Sequence, residues 1–190
     1  MELTKEEHWQ AVKWILRYIL GTIDVGIKFQ KQEMFNLDNR VTGYVDSDYA
    51  GDLDKRRSTT GYLFTMAGGP VCWRSTLQST TEAGYMVVTK AFKEAIWMHG
   101  LINDLGILQK HIDVFCDSQS AICLSKNQVY HARTKHIDVR FYFIREIISK
   151  GDTRLLKIGT ADNPADMLTK VIAREKFWHC LDFINVGRKE

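Results

Sequence analysis

Residues 43–52, GYVDSDYAGD, crowd Asp46, Asp48 and Asp52 onto a stretch that opens like an apolar strand. Aspartate is depleted in strands. The two-residue alternation of an extended chain puts Tyr44, Asp46 and Asp48 on one face and Val45 and Ser47 on the other. Asp46 has no helix to cap, and burying a carboxylate is unfavourable unless it is paired or bound to a cation. It is therefore a candidate ligand for a hard cation. Two further acids stand at element ends. Asp117 closes the apolar run HIDVFC ahead of the helical pattern SQSAICLSK, and Asp166 follows Asn163 and Pro164 in NPADMLTK. Each also has a local explanation: Asp117 as a helix cap, and Asp166 as a first-turn acid favoured by the helix dipole. Acids at element ends can still converge at one edge of a sheet, however far apart in sequence.

The elements that must position them can be read from periodicity. MELTKEEHWQAVKWILRYILGT carries Thr4 with Glu7 three residues on, then Trp9, Val12, Leu16 and Ile19 at helical spacing, and Gly21 ends it. VGIKFQ is a short strand. VTGYVDSD, TTGYLFTMA and PVCWRSTLQ, with turn residues Gly68, Gly69 and Pro70 before the last, predict an antiparallel meander. A helix is expected from about Thr81 to Leu105, closed by Gly106. Next come strand HIDVFCD, helix SQSAICLSK, helix HIDVRFYFIREIISK, strand TRLLKIG, a helix opened by NPADMLTK, and a last helix REKFWHCLDFI. The series predicts an α/β fold with a mixed five-stranded sheet, its first three strands antiparallel, flanked by helices.

The composition bounds the classes available. The 190 residues are 45% hydrophobic and 26% charged, which suits a single folded domain with a short appendage. A net charge of +3, from 26 basic and 23 acidic residues, is compatible with a polyanionic partner without demonstrating one. The four cysteines, Cys72, Cys116, Cys123 and Cys180, form no CxxC pair, and no run is long enough to span a membrane. An intracellular protein of the cytoplasm or nucleus, with reduced thiols and no membrane partner, is expected. His131 and His136 lack nearby cysteines, which argues against zinc. Trp9, Trp14, Trp97 and Trp178 recur among apolar residues and are expected in the core or on a docking face.

YVDSDYAGD, STTGYLFTMAGGPVCWRS, STTEAGYM, FCDSQSAICL, HARTKHIDVRFYFIRE and NPADMLTK, in this order, resemble the ribonuclease H domain of the copia-type retrotransposon Pol polyprotein. The resemblance implies the ribonuclease H-like fold over residues 39–190. Residues 1–38 would be a connection segment from the preceding reverse transcriptase, a possible partner. The implied activity is endonucleolytic hydrolysis of the RNA strand of an RNA–DNA hybrid by two Mg²⁺ ions, with Mn²⁺ as substitute, held by oxygen ligands. Carried over by motif, Asp46 would bridge both ions, Asp117 would bind the ion that activates water, and Asp166 the ion at the leaving group. Asp48 is expected to face solvent or to stand behind the ligands. Arg133, Lys135 and His136 would contact the hybrid's phosphates.

The chain departs from the family at its fourth acid. The family's helix typically opens TEAEYMA, whereas this chain reads TEAGYMV, so Gly84 stands where the metal-binding glutamate is expected. Glu82 is the nearest alternative, but two residues along a helix is a rotation of about 200°. A short family segment resembling TVALS is also missing before the helix. Its loss is expected to shorten the third meander strand and expose the second near Tyr62 and Phe64, and Val87, where alanine is typical, is expected to crowd the helix against the sheet. The resemblance thus implies a ribonuclease H impaired in this copy. The alternative is an inactive nucleic-acid-binding or interaction remnant.

Overall fold

The computed structural model describes residues 4–29, 40–52, 54–78, 83–126 and 135–188, with the backbone alone for 124, 126 and 135–141. Helix α1 (Lys5–Leu20) starts at a complete capping box, in which Glu7 N donates to Thr4 Oγ1 at 3.3 Å and Thr4 N donates to Glu7 Oε2 at 2.6 Å. Strand β1 (Val25–Ile27) pairs antiparallel with β7 (Val186–Arg188), a strand not expected from the sequence, where the last element ended at Ile184. The chain's two ends are thereby joined. The helix itself lies outside the core: Trp9, Trp14, Leu16 and Leu20 are all more than half exposed.

The main sheet is the expected one. Its order is β4-β3-β2-β5-β6, from β2 (Thr42–Ser47), β3 (Ser58–Met66), β4 (Gly69–Gln78), β5 (Ile112–Cys116) and β6 (Thr153–Lys157). β2, β3 and β4 are antiparallel, while β5 lies parallel to both β2 and β6. The tight β3–β4 link puts Ala67 and Gly68 at φ 51° and 75°, the left-handed values a two-residue hairpin turn requires. Strand β4 is an edge strand, as expected, but it is not short. It pairs with β3 from Gly69 through Gln78, and Tyr62 and Phe64 are buried, so the predicted exposure of β3 does not occur.

The two faces of the sheet are covered differently. On one, α2 (Ala83–Asp104) and α4 (Lys135–Lys150) pack the main core, in which Val45, Phe64, Val88, Phe92, Val114 and Ile144 are fully buried. Val87 sits inside this core. On the other face Tyr44, Leu63, Ala165 and Ile184 form a smaller cluster under α5 (Arg174–Phe183), with Tyr44 stacked on Phe115 at 5.6 Å between ring centroids. The alternation of β2 thus sends Val45 to one core and Tyr44 to the other. α3 (Gln119–Lys126) follows β5 directly. NPADMLTK, read as opening a helix, forms only a 3₁₀ segment over Pro164–Leu168. It is pinned at both ends, by Asn163 Nδ2 donating to Val45 O at 3.0 Å and by Thr169 Oγ1 donating to Asp46, which leaves room for one tightened turn. Trp97 is exposed and Trp178 half-buried, so neither is a core residue.

Candidate metal centre

Three elements deliver the acids. Asp46 is the penultimate residue of β2, Asp117 follows the last residue of the parallel neighbour β5, and Asp166 lies in the 3₁₀ segment on the face of the sheet that carries Tyr44. One carboxylate oxygen from each lies within 4.8 Å of the other two. Asp46 and Asp166 are buried, at 3% and 1% exposure, and Asp117 is half-buried. The capping explanation of Asp117 fails, because Ser118 Oγ accepts the α3 hydrogen bond from Ala121 N at 3.3 Å. Its carboxylate receives no hydrogen bond from the described residues, whereas its backbone oxygen accepts one from Lys157.

The buried acids have cationic neighbours. Lys170 Nζ lies 2.9 Å from Asp46 Oδ1 and 3.2 Å from Asp166 Oδ1, between the two. Lys176 donates to Asp166 Oδ2 and, at 2.8 Å, to the carbonyl of Thr160. Burial raises the Asp46 carboxyl above its ordinary value; the Thr169 and Lys170 hydrogen bonds oppose this, and the charge of Asp166 adds to it. Burial works against the Lys170 charge, yet Asp46 first and Asp166 second hold the ammonium above its usual value. Cys116, beside Asp117, is pushed up to about 11 by burial and offers no thiolate. The donor set is therefore oxygen only, the kind that suits Mg²⁺ and Mn²⁺.

Backbone packing fixes this arrangement. Asp46 is paired in register with Gly61 on β3, where an added Cβ would come within 2.8 Å of Leu168 Cβ and 2.9 Å of Thr169 Cγ2. Only a glycine there lets the 3₁₀ segment approach closely enough for Thr169 to reach Asp46. Gly84 is in the first turn of α2, where an added Cβ would meet only Ser47 Oγ, at 3.3 Å. The expected glutamate position therefore abuts the end of β2 that carries Asp46, and a side chain there needs Ser47 Oγ to give by a few tenths of an ångström.

Sequence reasoning named Asp46, Asp117 and Asp166, and the fold brings them together. Glu82 and Arg133 lie outside the described residues, and Lys135 and His136 open α4 with only their backbone described. Asp48 is half-buried; its Oδ1 accepts from Thr59 N and ties the β2–β3 loop to the start of β3. The sequence marked Asn163 only as a cap before Pro164, the role its bond from Ala165 N confirms, and did not point to Thr169, Lys170, Lys176 or Gly61. Asn163, Thr169 and Lys170 belong to the NPADMLTK motif that had singled out Asp166; Lys176, ten residues beyond that acid, carries no signal in the sequence.

No family model matches the sequence. The chain is 50% identical over 191 residues to the retrovirus-related Pol polyprotein from transposon TNT 1-94 of Nicotiana tabacum, a match covering 98% of this chain and 14% of that protein. The corresponding polyprotein from transposon RE1 of Arabidopsis thaliana is 38% identical over 194 residues, covering 99% and 13%. The chain thus spans about a seventh of the length of these relatives. Among solved structures, LC11-RNase H1 in complex with RNA/DNA hybrid superposes at a TM-score of 0.52 with 18% identity, over 68% of this chain and 94% of that one. RNase H1 from Halobacterium salinarum does so at 0.50 with 20% identity, over 68% and 94%. At such identities the likeness establishes the fold.

Proposed function

We propose, for a chain that is a ribonuclease H-fold relative of copia-type retrotransposon Pol polyproteins, that it is the segment that hydrolyses the RNA strand of an RNA–DNA hybrid, weakened in this copy. The observation that carries this reading is the convergence of Asp46, Asp117 and Asp166 within 4.8 Å at the end of two parallel strands. Two buried carboxylates paired with Lys170 and Lys176, next to a third that receives no hydrogen bond from the described residues, fit a pair of divalent cations. When bound, Mg²⁺ or Mn²⁺ would supply Lewis acidity and an activated water for attack on the phosphodiester. Asp46 would hold both ions, Asp117 the one beside the attacking water and Asp166 the one beside the leaving oxygen. Thr169 fixes the Asp46 rotamer, and Asn163 holds the turn that carries Asp166. Arg133, Lys135 and His136 would meet hybrid phosphates.

Gly84 favours a second reading, in which the fold persists and binds nucleic acid without cutting it. The position lacks a carboxylate. Residues 1–38 are proposed as the connection toward the reverse transcriptase portion of the polyprotein, with the exposed apolar face of α1 docked on it; residues 39–190 form the nuclease unit. The test is cleavage of a labelled hybrid in Mg²⁺ or Mn²⁺. Wild type is expected to cut slowly, Asp46→Asn not at all, and Gly84→Glu about 10- to 100-fold faster than wild type, the scale on which support of a metal centre changes activity. Full-speed cutting by wild type that is lost in Glu82→Gln would show that Glu82 supplies the fourth ligand. Salt-sensitive hybrid binding without cutting by any variant would favour the second reading.

A further inference from the structure

The position between Asp46 and Asp166 is filled by the chain itself. Lys170 Nζ is 2.9 Å from one Oδ1 and 3.2 Å from the other, so these two oxygens already share an ammonium. Mg²⁺ bonds oxygen at about 2.0–2.1 Å, and no ion can approach both oxygens at that distance while the ammonium remains. Lys176 is different. It reaches the far oxygen of Asp166 and is anchored from behind by the Thr160 carbonyl, so it touches one acid only. Lys170, one third exposed, has an exit. It lines an open groove of about 500 Å³ with Asp48, Gly51, Asp52, Thr59, Leu77, Thr169 and Val171. Asp48 and Asp52 line that groove, Asp48 held by Thr59 N and Asp52 paired with Arg57, so a displaced ammonium would enter beside two carboxylates and one guanidinium.

We propose that Lys170 is the resident counter-ion of the acid cluster, seated between Asp46 and Asp166 in the metal-free protein and moved into the adjacent groove when a divalent cation enters. The assignment rests on the metal reading above. It makes Lys170 a positioning residue with two opposed effects: it keeps the buried acids together before metal binds, and it weakens metal binding by having to leave.

Mn²⁺ binding to chelator-stripped protein, followed by the electron paramagnetic resonance of the free ion, tests it alongside thermal unfolding of the metal-free form. Lys170→Met is expected to bind Mn²⁺ about tenfold more tightly, as removal of a competing state populated about nine-tenths of the time requires. Its metal-free form is expected to melt earlier and to regain stability with Mn²⁺, whereas Lys176→Met is expected to show no gain in affinity. Lys170→Gln, which can still donate to Asp46 without the charge, replaces the methionine variant if that fails to fold. Binding by Lys170→Met but not by wild type would be the strongest support. Equal or weaker Mn²⁺ binding by the Lys170 variants, with wild type binding, overturns the Lys170 assignment and leaves the metal reading standing. Failure of every form to bind overturns both.

Discussion

Single side chains at the acid cluster carry opposite electrostatic consequences, and their signs can be worked out. The fold holds the Asp46 proton to a higher pH than the unfolded chain does, because burial outweighs the Thr169 and Lys170 hydrogen bonds. Stability attached to this group is therefore present at low pH. It falls as pH rises from the ordinary 3.8 through the raised value, above which the full penalty applies. Denaturation midpoints measured in chelator from about pH 3 to 8 should show this decline in wild type and not in Asp46→Asn. Asn163 is fully buried, donates to Val45 O and accepts from Ala165 N at 3.2 Å. Asn163→Ala is expected to destabilise by about 1–3 kcal/mol, seen in urea unfolding, because it strands buried polar groups.

Among the elements, β3 and the 3₁₀ segment approach closely at Gly61. Gly61→Ala would force its Cβ against Leu168 and Thr169, with an expected loss of about 1–3 kcal/mol from overpacking and weaker Mn²⁺ binding as Thr169 is pushed off Asp46. Helix α1 is the opposite case. Its apolar side chains are exposed, so Leu16→Glu should shift the unfolding free energy by less than about 0.5 kcal/mol. Phe92→Ala, in the core beneath α2, should cost about 3–5 kcal/mol. Equal losses from the two substitutions would mean that α1 is packed in solution.

For the molecule as a whole, the sheet forms two cores and one acidic edge, and a ligand on that edge stabilises everything it joins. Saturating Mn²⁺ at about a hundred times its dissociation constant is expected to add about 2.7 kcal/mol to unfolding, and Asp117→Asn should abolish the gain. Unlike Asp46, Asp117 is half-buried, so its substitution should leave the metal-free stability nearly unchanged. Scanning calorimetry with and without the ion separates these effects.

Periodicity was enough to predict the sheet, because apolar alternation in TGYVDS, STTGYLFTM and IDVFC leaves a strand few other ways to bury its side chains. Asp46 was legible for a related reason: a carboxylate ending an apolar strand conflicts with its surroundings, and the conflict is local; Asp117 and Asp166, which local capping could explain, were marked by the resemblance of their motifs. Other features were invisible because they depend on distances between segments far apart in sequence. Lys176 meets Asp166 and β7 meets β1 only after the chain has closed, and Gly61 matters only because Thr169 lies against it. The sequence by itself determined the alternation that buries the apolar side chains of the strands and marked Asp46 as out of place. Tertiary structure alone decided which lysines neutralise those acids, since long flexible side chains take their partners from whatever charge packing brings within reach.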